Sequence, residues 1–271
     1  MVDGVYRCPR CFGALSPDPR ACPTCGAGFG RVHGLPSFVD VHPVGRLDRV
    51  MRAIYDGFGW GHDPALRLVL PLVDGVSEAT ARQRLLDRLP LAALAAIASA
   101  RPLRVLDVSF GTAGELLGLA RTLPAGTALH GVDLSATMAR IGARALARAG
   151  VEATLCLGDA HHLPYRDEAF DLVVHVGGIN AFSDRRAALA EMARVARPGA
   201  SVFVVDEQLD RSRPLPLWQR GLFRAVTWWD TVQEAPIAEL PPDVVDVSVE
   251  QILTFYYLLR FTRPPGPPRS P

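Results

Sequence analysis

The stretch Val105-Leu106-Asp107-Val108-Ser109-Phe110-Gly111-Thr112-Ala113-Gly114-Glu115 reads as a buried strand that breaks into a turn of small residues and opens a helix. Gly111 and Gly114 let a ligand approach the backbone, and the free N–H groups of the helix start favour an anionic group. Thr112 and Glu115 have the spacing of a capping box for that helix. Taken alone, the stretch serves two ligand classes. It is a dinucleotide fingerprint lacking its first glycine, or a turn, preceded by Asp107, that receives an amino-acid carboxylate.

Working outward, short apolar runs alternate with helical stretches from Arg101 onwards. Strands are predicted at Arg104–Val108, Ala128–Val132, Ala153–Leu157, Asp171–Val176 and Ser201–Val205, with helices at Ala113–Leu123, Ala136–Ala149 and Arg185–Ala196. Continuously apolar strands separated by helices predict a parallel sheet covered on both faces. The last two runs, Val244–Val249 and Thr254–Phe261, suit a terminal antiparallel pair. Ahead of the sheet, helices are predicted at Leu47–Tyr55, Pro64–Leu70, Ser77–Leu89 and Leu91–Ala100. The glycine-rich Asp56-Gly-Phe-Gly-Trp-Gly-His62 reads as a mobile loop, and no internal repeat stands out.

A second motif, His130-Gly-Val-Asp133-Leu134-Ser135, puts a carboxylate 22 residues beyond Gly111 at a strand end. There it can accept from ribose hydroxyls in either ligand class, or simply cap the next helix together with Ser135. Three further motifs follow in order: Gly158-Asp159-Ala160-His161-His162-Leu163-Pro164, Phe170-Asp171-Leu-Val-Val, and Glu191-Met-Ala-Arg194-Val-Ala-Arg-Pro198-Gly199. Together the five motifs, from Arg101 to Glu207, resemble the UbiE/menaquinone-type branch of class I S-adenosylmethionine-dependent methyltransferases. The resemblance implies an α/β fold: a Rossmann-like, mostly parallel seven-stranded sheet whose last strand is antiparallel. It implies S-adenosylmethionine as cofactor. Asp107, Ser109 and Gly111 would hold its methionine part, Asp133 its ribose, Leu134 and Met138 the adenine faces, and Asp159 and Ala160 the adenine edge. Ser109 and Ala113 stand where the family pattern has glycine, which puts the turn's fit in question.

Methyl transfer depends mainly on near-attack positioning, and a base is required only where the acceptor must lose a proton. Candidates are His175 and Asn180, in His175-Val-Gly-Gly-Ile-Asn180 after the fourth strand, and Tyr55 in an N-terminal lid with Trp60 and His62. His175 also reads as an ordinary buried histidine, His161 and His162 as exposed loop residues, and Cys156 as core. Trp218, Trp228 and Trp229 are a candidate acceptor wall. The expected function is methyl transfer to a small-molecule acceptor: quinone-like, lipid or secondary metabolite. Two other functions compete: an RNA or protein methyltransferase, and a cofactor-binding homologue without methyl transfer.

At the N-terminus, Cys8, Cys11, Cys22 and Cys25 form C-x2-C-x10-C-x2-C. Each CPxC knuckle can offer two thiolates to one ion, and two knuckles complete a closed tetrahedral S4 site whose usual occupant is Zn2+. So short a segment would take most of its folding energy from the metal. Basic Arg7, Arg10, Arg20 and Arg31 could begin a docking surface for RNA or protein. The chain divides by these signals into a zinc-ribbon module (1–40), a helical lid and connector (41–100), the methyltransferase-like domain (101–262) and a Pro-rich tail expected to be disordered (263–271).

With 49% hydrophobic and 21% charged residues and a net charge of +1, the chain is globular in composition and has no global pull towards nucleic acid or anionic lipid. The longest apolar stretch, Leu89–Ala100, is about half the length of a membrane span, and the polar start does not read as a signal peptide. A cytoplasmic location, with cysteines kept reduced, is the resulting expectation.

Overall fold

The computed structural model describes residues 4–227 and 233–265. A nine-stranded sheet forms the centre, in the order β1-β2-β5-β4-β3-β6-β7-β9-β8. Its parallel heart is β3 (Arg104–Val108), β4 (Ala128–Asp133), β5 (Thr154–Leu157), β6 (Phe170–Val176) and β7 (Ala196–Glu207). The antiparallel pair β8 (Val245–Leu253) and β9 (Tyr256–Thr262) closes one side, with β9 on β7. Val105, Leu106, Val108, Leu172, Val173 and Val174 are buried on both faces, so their unbroken apolar character is what a doubly covered sheet requires.

The helices start where side chains cap them. Ser77 caps α3 (Glu78–Leu86) at Thr80, Ser135 caps α6 (Ala136–Arg148) at Met138, and Asp184 caps α7 (Arg185–Val195) at Ala187. Each such cap is worth about 1 kcal/mol. The helix after β3, α5 (Gly114–Thr122), has no such cap, contrary to the predicted capping box. Its first flanking residue is Ala113 at φ 66°, while Thr112 bonds Asp63 and Glu115 pairs with Arg82.

Two other expectations change. The sheet exceeds seven strands because the segment after the cysteine knuckles adds β1 (Gly30–Val32) and β2 (Leu35–Ser37), β2 pairing parallel with β5. The glycine-rich 56–62 stretch is helical: α1 (Arg46–Phe58) runs into a 3₁₀ turn at Gly59–Gly61 and then α2 (His62–Asp74). Gly59 is needed there for close approach, since a Cβ would stand 2.6 Å from the Met138 sulfur. The tail begins ordered, with Arg263 bonding the carbonyls of Arg194 and Ala196; residues 266–271 lie outside the described residues.

The N-terminal segment shares the sheet's core. Residues 5–7 bridge to 164–166 through Arg7 N–H to Pro164 O and Arg166 N–H to Val5 O, both 3.0 Å. Tyr6 stacks on Tyr165 at 5.5 Å and meets Phe38 at 5.3 Å, and Phe38 meets Phe29 at 5.0 Å. Such aromatic pairs add about 0.5–1.5 kcal/mol each beyond the area they bury. Cys156 lies in the same core, as expected; burial pushes its thiol up to about 12, and it bonds the Tyr165 hydroxyl.

Candidate functional site

The chain leaves β3 for β4 and β5 on one side and returns to β6 and β7 on the other, so the strand order reverses between β3 and β6. Ligands of open α/β sheets bind at the carboxyl ends of the strands beside such a reversal. A cleft of ≈ 190 Å³ lies there, lined by the turn Ser109–Thr112, by Asp133, Leu134, Ser135 and Met138, and by Val176–Gly178. α1 and α2 close it with Asp48, Met51, Tyr55, Asp63 and Leu66.

The turn keeps a glycine-like backbone despite its substitutions. Ser109 and Ala113 hold φ 61° and 66°, on either side of Gly111 at 52°. An L-residue in this region costs about 1–2 kcal/mol, and neighbours hold the shape. Ser109 N–H donates to Val132 O at 2.8 Å, Gly111 N–H to Asp133 Oδ2 at 2.8 Å, and Ala113 N–H to Phe110 O at 2.8 Å. The other Asp133 oxygen accepts from Ser135 N–H at 2.8 Å. Asp133 thus braces the start of α6 and also lines the cleft.

Asp107 sits beneath the turn, fully buried, with Oδ2 lacking a partner among the described residues. Burial, then Glu115 and Asp133, pushes its carboxyl well above the usual range, while Arg82 opposes the shift. Arg82 is clamped between Glu78 and Glu115, both 2.9 Å away, and reaches the cleft across Gly114, where a Cβ would collide with it. The lining thus carries five carboxylates (Asp48, Asp63, Glu115, Asp133 and Glu207) and two guanidiniums (Arg52 and Arg82). Such a wall suits a ligand with cationic centres and one carboxylate.

A side recess joins the cleft, bounded by Ser109, Asp133, Leu134, Gly158, Asp159, Ala160, His161 and Phe182. Asp159 Oδ1 accepts from the His161 backbone at 2.9 Å and faces His161 Nδ1 at 2.5 Å. Burial acts against charge on both, but their contact prevails: it raises His161 and lowers Asp159. His161 is therefore buried, not an exposed loop residue as expected, because its ring also accepts from Asp184 N–H; His162 is exposed and stacks on His42. Glu191 and Arg194 explain the last motif: they hold Leu163 N–H and the carbonyls of Leu163 and Tyr165, fixing the loop that carries Asp159.

The three catalytic candidates separate. Tyr55 lines the cleft. His175 does not: it is fully buried, bonds Val108 O through Nδ1 at 2.8 Å, and burial lowers its pKa. Asn180 is also buried, donating to Glu207 O with no partner at Oδ1 among the described residues, and it lies outside the lining. Trp218 is half-exposed on α8 (Leu217–Val226) and outside the lining, because Gln219 and Phe223 form that helix's inward face. Trp228, Trp229 and the side chain of His62 lie outside the described residues. The apolar wall is instead Met51, Tyr55, Leu66, Val176, Phe182 and Tyr256. Glu207 and Tyr256, which also line the cleft, were missed as site residues.

The four cysteine sulfurs lie within 4.8 Å of one another. Cys8 Sγ–Cys25 Sγ is 3.8 Å and Cys11 Sγ–Cys22 Sγ is 3.5 Å, and no cysteine is in a disulfide. Zinc–sulfur bonds of about 2.3 Å give a tetrahedral edge of about 3.8 Å, so the four sulfurs fit an S4 zinc site. The two CPxC knuckles repeat each other in backbone bonding as well as in sequence. Cys8 N–H bonds Gly13 O and Phe12 N–H bonds Cys8 O; 14 residues on, Cys22 N–H bonds Ala27 O and Gly26 N–H bonds Cys22 O. Burial pushes the Cys22 thiol up, but the N–H groups of Cys25 and Thr24 outweigh it and bring it to about 6. Of the arginines expected to start a docking surface, Arg7 pairs with Asp167 and Arg31 with Asp18.

Residues 105–199 match the family described as "Methyltransferase domain". The demethylmenaquinone methyltransferase of Lactiplantibacillus plantarum is 35% identical over 118 residues, 42% of this chain and 50% of that protein. The ubiquinone/menaquinone biosynthesis C-methyltransferase UbiE of Cupriavidus necator is 35% identical over 103 residues, 38% of this chain and 42% of that protein. The chain thus spans half or less of the length of these curated relatives. In fold it is similar to Haemonchus contortus phosphoethanolamine N-methyltransferase 2 in complex with S-adenosyl-L-methionine, with a TM-score of 0.58 and 15% identity, over 83% of this chain and 61% of that one. No helix among the described residues is long and apolar enough to cross a membrane. Residues 105–199 thus match a methyltransferase-domain family, and they lie in a mostly parallel α/β sheet whose fold is similar to that structure.

Proposed function

We propose that the chain transfers a methyl group from S-adenosylmethionine to an apolar, quinone-like small molecule, and that its cysteine knuckles hold one structural Zn2+. The carrying observation is the carboxylate-rich cleft beside the strand reversal, which ends in an apolar, aromatic wall. The ligand fits the lining: the orphaned Asp107 oxygen behind the turn suits an ammonium, Arg82 a carboxylate, Asp133 a ribose, and Leu134, Met138, Asp159 and Ala160 an adenine. When bound, the cofactor supplies an electrophilic methyl group. The chain's part is to hold the acceptor in line and exclude water, with Met51, Tyr55, Leu66, Phe182 and Tyr256 packing its ring. Burial, with Glu207 and Asp206 beside it, drives the Tyr256 hydroxyl far above its usual value, so it stays protonated and serves as a donor to an acceptor oxygen. Glu207 faces the same space as the group to take up a proton. The quinone class is argued from the names of the two bacterial relatives together with this wall.

Calorimetry tests the reading. The wild-type chain is expected to bind S-adenosylmethionine, and Asp133→Ala to weaken binding by ~100-fold or more, because two charge-assisted bonds that shape the turn are lost with the ribose contact. A wild-type chain that ignores millimolar cofactor sinks the proposal. Labelled-methyl transfer to a demethylated short-chain quinone, slowed in Glu207→Gln, tests the acceptor separately.

A further inference from the structure

α2 and α8 each bury one face and leave an apolar opposite face in water. α2 buries Leu70 and Val73 yet exposes Leu68 and Leu72; α8 buries Gln219 and Phe223 yet exposes Leu217 and Trp218, at 81% and 50%. The two helices meet through Gln219 Nε2 donating to Val73 O and through the Val73–Phe223–Phe255 cluster. Beside them lies a groove of ≈ 430 Å³ lined by Arg211, Arg213, Arg220 and Arg224 with Leu215 and Phe223. Arg213 is held by Asp210 and Thr254, whereas Arg211, Arg220 and Arg224 make no ion pair among the described residues. α8 carries no carboxylate, and the groove's own carboxylate, Asp210, is engaged by Ser212 and Arg213. A chain of net charge +1 therefore gathers guanidiniums next to exposed Trp and Leu.

We propose that this face docks on an anionic phospholipid surface, with the arginines on headgroup phosphates and Leu217, Trp218, Leu68 and Leu72 in the headgroup–acyl boundary. An exposed apolar stripe flanked by unpaired cations is the pattern of an interfacial helix, and anionic lipid is the surface whose charge complements it. The inner face of α2 supplies Asp63 and Leu66 to the cleft, so docking brings the cleft to within about one helix diameter, ~10 Å, of the lipid.

Co-sedimentation of the full chain with vesicles of phosphatidylcholine and phosphatidylglycerol (3:1), and of phosphatidylcholine alone, tests it. Partition into the anionic vesicles, falling as salt rises, is expected. Arg220→Glu with Arg224→Glu should lower that partition by ~25-fold or more, about fivefold for each cation lost. Trp218→Ser should lower it in both salt conditions. None of these residues lines the cleft, so cofactor calorimetry on the same variants reports that they fold. Equal partition into both vesicle types, no partition, or variants that behave as the parent would overturn the proposal. So would a dimer in solution that Trp218→Ser turns into a monomer, which would assign the face to a second copy.

Discussion

The two cysteine knuckles and the turn after β3 are all tight reversals with a residue at positive φ, but they are specified in opposite ways. In the knuckles Phe12 at 62° and Gly26 at 71° occupy equivalent places. The same backbone bonds hold both places, Phe12 N–H to Cys8 O and Gly26 N–H to Cys22 O, so a bulky residue can stand where its counterpart is glycine. In the turn, Ser109, Gly111 and Ala113 are held by Val132 O, the Asp133 carboxylate and the packing of α6. The lesson is that ligand chemistry can be read from spacing, whereas a turn imposed by its neighbours can lose its signature glycines and keep its shape.

The largest expected effect breaks the first half of that comparison. Cys22→Ser should take the chain from about one zinc to none by metal analysis. It should lower the thermal midpoint by on the order of 10 °C, because several kcal/mol of metal-dependent folding are lost and Cys8, Cys22 and Phe29 share the sheet's core. An unchanged midpoint after metal loss would show that the knuckles do not support that core. Gly142→Ala strikes the other half: its Cβ would stand 2.6 Å from Gly111 O and 2.9 Å from the Phe110 ring. Overpacking of ~1–3 kcal/mol, less the ~1 kcal/mol a helix gains from alanine, predicts a net loss of ~1 kcal/mol by denaturant titration together with weaker cofactor binding.

The Asp159–His161 contact sharpens the comparison through pH. The folded value of His161 is raised, so its contribution is full below the ordinary histidine value near 6.5 and fades as pH rises through the folded one. Asp159 is lowered, so its contribution is present above the ordinary value near 3.8 and is lost as pH falls through the folded one. The pair is thus expected to stabilise the recess most between these limits. Imidazole NMR should place His161 above 6.5, and a value at or below 6.5 would contradict the contact. The smallest effect is that of Ser109→Gly. Relief of the left-handed backbone, ~1–2 kcal/mol, is offset by ~0.5–1 kcal/mol of unfolded-state entropy, leaving a stabilisation of at most ~1.5 kcal/mol. A clear loss would mean that the Ser109 hydroxyl has its own task in the cleft.

Legibility followed the same division. The β3 boundaries were read residue for residue, since a strand buried on both faces is apolar throughout, and the motif order carried the sheet's topology. The helical 56–61 stretch was not legible. Its glycines signalled a loop, yet Gly59 exists so that α1 can press on Met138, a contact 79 residues away in sequence. His175 and Asn180 were base candidates because they lie at the end of β6 and just beyond it, but which way a side chain turns at a strand end depends on the neighbouring strands. Val108 O claims His175, and Glu207 O claims Asn180. Glu207 and Tyr256 come together from β7 and β9 through antiparallel pairing, a register that local pattern does not set.

The sequence by itself determined what is local or periodic: the four-thiol set, the alternation of buried strands and helices, the Asp133 carboxylate 22 residues beyond Gly111, and the small-residue turn. Only the tertiary structure decided which side chains share the cleft and which are sealed. It also joined the knuckle segment to the sheet's edge at β5 and turned α2 and α8 so that leucines and Trp218 face water. The reason is physical. Thiol spacing and apolar period are fixed by chain geometry within a few residues, whereas lining, sealing and exposure depend on partners brought from far along the chain.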